Sequence, residues 1–137
     1  MKNAILIAVI AVLSLSCGKA SDPIPNVGVD FEDALTDPRL AALNISGGAV
    51  IINGYGVAGL IIYHEIDGSY AAYDRCSSYE PQNRCAVNLD SDGFTATDPC
   101  SGSKFSLIDG TPVKGPATAA LKAYSVSVIN YEIFVSN

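Results

Sequence analysis

Three Asp-Gly pairs, Asp67-Gly68, Asp92-Gly93 and Asp109-Gly110, punctuate this chain between short apolar runs and constrain its fold more than any other feature. Glycine after aspartate supplies the positive-φ backbone that tight hairpin turns need. The runs are rich in β-branched and aromatic residues: AVIIN at 49–53, GLIIYHE at 59–65, YAAYD at 70–74, YSVSVI at 124–129 and YEIFVS at 131–136. Runs this short, closed by turn residues, are read as strands. The expectation is an all-β domain. Only FEDALTDPRLAALN, residues 31–44, has helical spacing, and Pro38 limits it to one or two turns. The chain shows no repeat of fixed period and no low-complexity tract.

The N-terminus has a different character. Lys2 precedes the apolar run AILIAVIAVLSLS, which is too short to span a bilayer and ends at Cys17. This is the pattern of a signal peptide over residues 1–16. Its ending, LSLSCGK, resembles a bacterial lipobox, in the relaxed form found in Bacteroidota lipoproteins. Ser14 stands at the usual leucine position and Leu13 one step further out. The resemblance implies that Cys17 becomes the lipid-modified mature N-terminus. The protein would then be held by its acyl chains in the bacterial cell envelope, at the outer membrane. Ordinary cleavage after Ala20 is the alternative, and it would release a secreted or periplasmic soluble protein without Cys17. Residues 17–28 read as the lipidated cysteine and a tether, with two prolines and two glycines in GKASDPIPNVG. The domain is expected over 29–137.

Charge narrows the partners. A net charge of −6 leaves no basic patch for nucleic acid, anionic lipid surfaces or phosphate-rich ligands. The body retains Cys76, Cys85 and Cys100, in a compartment where disulfides persist. Three is an odd number, so one bridge and one free thiol is the simplest arrangement, with the connectivity open. A zinc site would have to gather three scattered thiolates and His64, the only histidine, so no metal site is assigned. Asp90 and Asp92 in NLDSDG lack the bidentate glutamate of a calcium loop and read as a turn. The seven tyrosines read as half-buried sheet aromatics. No Ser-His-Asp set, dinucleotide fingerprint or phosphate loop is present.

From YAAYDRC to the C-terminus the order of features is similar to that of a Rieske domain. A cysteine loop follows a strand; a second loop reads DPCSGSKF; then comes DGTPVKGPATAALKAYSV, like the family's segment through its Gly-Pro loop to a Leu-x-x-Tyr strand. The resemblance covers about half the chain and implies a small antiparallel β domain of stacked small sheets. In that family two loops hold a [2Fe–2S] cluster, one through C-x-H and the other through C-x-x-H. Carried across, the first loop keeps Cys76 at the thiolate position and has Ser78 at the histidine position. The second loop, aligned on Gly102-Ser103, places Asp98 at the ligand cysteine, Cys100 at the extra cysteine of the respiratory branch and Ser101 at the ligand histidine. An alternative alignment makes Cys100 the ligand and finds Ser103 at the histidine position. Either way no loop histidine remains, and a carboxylate and hydroxyls are hard donors where the iron takes thiolate and imidazole. His64 lies twelve residues before Cys76 in an apolar strand pattern.

The resemblance also implies a Cys85–Cys100 disulfide, since the respiratory branch bridges its two loops at these positions. Closing a loop of about fifteen residues is worth roughly 3 kcal/mol. Cys76–Cys85 and Cys76–Cys100 remain the alternative pairings. A free Cys76 would be a reactive thiol if Arg75 lowered its pKa, or an inert buried one. Three functions follow from these residues: a cluster-less Rieske-like envelope lipoprotein with a structural or binding role toward an unknown protein or small molecule; a Rieske electron carrier with a [2Fe–2S] cofactor; and a thiol redox protein using Cys76.

Overall fold

The computed structural model describes residues 24–137. Signal peptide and Cys17 therefore lie outside the described residues, as does most of the expected tether. Ten strands form two antiparallel sheets. The larger contains β1 (Asp30–Ala34), β2 (Ala49–Ile52), β3 (Leu60–His64), β4 (Tyr70–Asp74), β9 (Ala123–Ile129) and β10 (Glu132–Ser136), in the spatial order β1-β10-β9-β4-β3-β2. The smaller contains β5 (Asn88–Leu89), β6 (Thr95–Thr97), β7 (Lys104–Ser106) and β8 (Pro112–Lys114), in sequence order.

The apolar run of β3 has a specific cause. Leu60 and Ile62 point into one core with Ala72, Tyr124, Ile133 and the first 3-10 helix, while Ile61 and Tyr63 point into a second core with Tyr73, Phe105 and Leu107 from the smaller sheet. A strand buried on both faces is apolar at consecutive positions instead of alternate ones. β9 is half-buried and alternates: Tyr124 and Val126 face the first core, Ser125 and Ser127 face solvent.

The helical spacing of residues 31–44 is borne out only in its second half. Residues Asp30–Ala34 form β1, paired with β10, and Pro38–Asn44 form a 3-10 helix capped by Asp37. Pairing with β10 buries Phe31, which overrides the weak helical preference of the segment. Tyr131 is not in a strand: Asn130 and Tyr131 both have positive φ and form the two-residue loop of the β9–β10 hairpin. The three Asp-Gly turns do hold glycines at positive φ, with Gly68, Gly93 and Gly110 at 91°, 82° and 74°.

The segment 24–28, read as part of a tether, packs on the domain where it is described. Ile24 is buried, and the Asn26 side-chain oxygen accepts from Lys122 Nζ at 2.7 Å and Asn137 Nδ2 at 2.9 Å. Among the described residues no helix is long and apolar enough to cross a membrane.

Candidate functional site

Strand direction gathers three loops at one end of the molecule. The first, 75–87, follows β4; the second, 98–103, joins β6 to β7; the third, 115–122, follows β8. The turns around 65–69, 90–94 and 107–111 fall at the opposite end, because each strand between a turn and a loop runs the length of its sheet.

Asp98 is the node of the loop end. It is fully buried, with Oδ1 accepting from the Cys100 N–H at 2.8 Å and Oδ2 accepting from the Ser77 and Ser101 hydroxyls at 2.7 and 2.6 Å. Burial alone pushes its pKa up, but the hydrogen bonds from Ser101, Ser77 and the loop backbone outweigh it and hold the carboxyl below its ordinary value. The Ser101 hydroxyl has one proton, engaged by Asp98, so its 2.8 Å contact with Ser103 Oγ uses the Ser103 proton. Ser103 Oγ in turn accepts from the Ala117 N–H at 2.9 Å, and the Ser78 hydroxyl donates to the Ala119 carbonyl at 2.6 Å. Each pair of loops is thus tied: first to second through Ser77–Asp98, first to third through Ser78, second to third through Ser103.

A covalent tie completes the set. Cys85 and Cys100 form a disulfide between the first and second loops, with Cα atoms 6.3 Å apart. Cys85 Sγ, Cys100 Sγ and an Asp98 oxygen lie within 4.8 Å of one another, the nearest approach to a metal-ligand cluster among the described residues. The sulfurs are spent on each other, and both Asp98 oxygens already accept hydrogen bonds.

Cys76 is free and fully buried. Its thiol rests 3.6 Å from the Pro81 carbonyl, so the extra length of the first loop, the 3-10 turn Pro81–Asn83, closes over it. Burial first, then the nearby Asp74 charge, pushes the thiol up to about 11. Arg75 does not activate it, because its guanidinium points away and donates to the Val87 carbonyl, Asn53 and Asn88. Asp74 offers no free base either: it accepts from the Val57, Ala58 and Cys76 N–H groups and from the Tyr124 hydroxyl.

The four positions that the Rieske resemblance assigns to cluster ligands are thus brought to one end, but not as a ligand cage. Cys76 lies under the first loop, Asp98 and Ser101 are bonded to each other, and Ser78 reaches the third loop. His64 sits at the far end of the β3–β4 hairpin, paired with Tyr70 and stacked on its ring with centroids 4.4 Å apart. Four residues of strand, about 13 Å, separate that pair from the hairpin end where the first loop begins. One thiol, one carboxylate and two hydroxyls do not fit a cluster held by two thiolates and two imidazoles. Sequence reasoning did not single out Ser77 or Asp74. Ser77 carried no signal apart from its place between two aligned positions. Asp74 is a carboxylate ending a strand with buried neighbours, a place that calls for several donors.

Asp90 and Asp92 form a turn, as expected. Asp90 accepts from Thr95, Thr97 and Lys104, and Asp92 from the Phe94 and Thr95 N–H groups.

Two stacked antiparallel sheets, the smaller carrying two of three loops that converge at one end, define a small antiparallel β domain. Solved structures make that more specific. A cyanobacterial plasma membrane Rieske protein from Synechocystis superposes with a TM-score of 0.56 at 22% identity, over 82% of this chain and 100% of that one. A structure from the oxygenase–ferredoxin complex of carbazole 1,9a-dioxygenase gives 0.52 at 22% identity, over 80% and 99%. A ferredoxin of Sphingomonas yanoikuyae gives 0.50 at 18%, over 68% and 88%. No protein-family model matches the chain, and no curated protein matches it in sequence. The chain has a Rieske-like fold.

Proposed function

We propose that this is a lipid-anchored protein of the bacterial cell envelope, held at the outer membrane through Cys17, whose Rieske-like domain carries no [2Fe–2S] cluster and serves a binding or structural role. The observation that carries the loss of the cluster is Asp98, a buried carboxylate at the position of a ligand cysteine, with both oxygens engaged by the loops themselves. Disulfide and serine ties do the pinning that a cluster does elsewhere. The lipid anchor rests on the LSLSCGK resemblance alone.

Two measurements on protein purified anaerobically from membranes test the proposal. Iron and acid-labile sulfide are expected to be absent, and a rhombic low-temperature resonance after dithionite reduction would select an electron carrier instead. Intact mass is expected to show acyl chains on a chain beginning at Cys17 and a gain of two hydrogens on reduction; a chain beginning after Ala20 would remove the anchor.

A further inference from the structure

The end opposite the three loops carries apolar side chains that neither core takes in. Ile66, Phe94 and Ile108, one from each of three separate turns, are 82%, 53% and 54% exposed. Single exposed apolar residues are ordinary, but these surround one groove. Two hollows of about 200 and 210 Å³ share Tyr63, Ile66 and Ile108, and Phe94 walls the second. Tyr63, itself buried, is the floor. The 90–94 turn lies against the segment before β2: a Cβ placed on Gly93 would come within 3.7 Å of the Gly47 carbonyl.

The rim has one sign of charge. Glu65 and Asp67 line one hollow, Asp92 lines the other, and Asp109 follows Ile108 directly. Among the described residues no lysine or arginine lines either hollow. Asp67, Asp92 and Asp109 each accept the N–H of a residue two further on in their own turns, which holds them ionised, and none forms a salt bridge among the described residues, the nearby Lys104 being paired with Asp90.

Position says which occupants are disfavoured. Ile24 and Asn26 pack at the loop end, beside Lys122, whose carbonyl accepts from the Asp74 N–H. Residue 24, the first described, therefore lies at the loop end and the groove at the other. A body tethered through its N-terminus, as proposed above, turns the groove away from its own membrane, and the acidic rim repels anionic headgroups. A second copy docking groove to groove would oppose two acidic rims. We propose that the groove binds a protein segment presenting one or two bulky apolar side chains flanked by lysine or arginine.

The probe is a random dodecapeptide library displayed on phage, panned on the full chain in detergent micelles and counter-panned on a Phe94→Ser/Ile108→Ser variant. Both residues are more than half exposed, so the variant is expected to keep its melting temperature within a few degrees. Enriched peptides are expected to share an apolar residue beside Lys or Arg. Synthesised and followed by fluorescence anisotropy, they should bind the variant at least tenfold more weakly. Asp67→Asn/Asp92→Asn keeps the turn acceptors and should weaken binding several-fold while flattening its dependence on salt. No enrichment over the variant, or a consensus without basic residues, overturns the proposal. So does binding of phosphatidylglycerol vesicles, or a dimer in sedimentation, that the same variant abolishes. Iron and sulfide content reads the cluster proposal separately, so either can fail alone.

Discussion

Replacing Asp98 is the most direct probe of the loop end. Asp98→Ala removes the acceptor of three hydrogen bonds at once. The losses are unequal. Ser101 is only half-buried and Cys100 is exposed, so water can reach the Ser101 hydroxyl and the Cys100 N–H. Ser77 is fully buried and is left with a stranded hydroxyl, at a cost of about 1–3 kcal/mol, while each of the other two bonds is worth about 1 kcal/mol. The expected destabilisation is about 3–5 kcal/mol by urea titration with the disulfide intact. In a domain of this size that lowers Tm by roughly 10–20 °C. Asp98→Asn keeps an oxygen for Cys100 but turns amide N–H groups toward two hydroxyls that donate to the carboxylate, so the charge and the acceptor of the buried Ser77 proton are both lost, about 2–4 kcal/mol. The sign of the pH dependence follows from the lowered carboxyl: its contribution is complete above the unfolded value of about 3.9 and is lost as pH falls through the folded value below it. The gap between wild type and Asp98→Asn should therefore be constant from pH 7 to about 5 and close below about 4. An Asp98→Ala protein within 1 kcal/mol of wild type, or a gap that widens in acid, would refute the node.

Other positions give independent checks. A Cys85→Ala/Cys100→Ala variant should lose roughly 3 kcal/mol, and dithiothreitol should lower the Tm of wild type but not of the variant in differential scanning fluorimetry. Cys76 should resist maleimide at pH 7 in the folded protein and react fully in urea; rapid labelling without denaturant would show that the cover over it opens. Gly110→Ala should cost about 1–3 kcal/mol, because φ is +74° and the new Cβ would meet Tyr73 Cε1 at 2.8 Å; a stability unchanged in urea would mean that the turn moves freely away from the second core.

Most of the larger sheet was legible because its strands carry their own signals. β3 and β4 lie inside their apolar runs, and the Asp-Gly turns fall where positive φ is needed. β1 was not legible. Phe31 needs the partner strand β10, a hundred residues away, before strand becomes better than helix, and local spacing does not contain that partner. The short strands β5 to β8 were hidden for a related reason: two or three residues are too few to show a period. At the loop end, the resemblance located Cys85 and Cys100 and their bond. It did not show how the substituted side chains would pair, because Ser77–Asp98 and Ser78–Ala119 join residues 21 and 41 apart.

The two ends of the molecule differ in how far their chemistry is satisfied. At the loop end Asp74, Ser77, Ser78, Asp98 and Ser103 are all buried, and each has a partner within the chain. Buried polar groups satisfied in this way add rigidity and offer little to a ligand, since any newcomer must replace bonds already made. At the turn end Ile66, Phe94 and Ile108 remain in water beside carboxylates that form no salt bridge among the described residues. Covering such a surface releases apolar area from water and gives the charges a counterpart, so the free energy still available for binding lies there. A scaffold whose loop-end polar groups are spent on internal ties is therefore expected to meet its partner through the opposite face, and variants at Phe94 should affect recognition while variants at Asp98 affect stability.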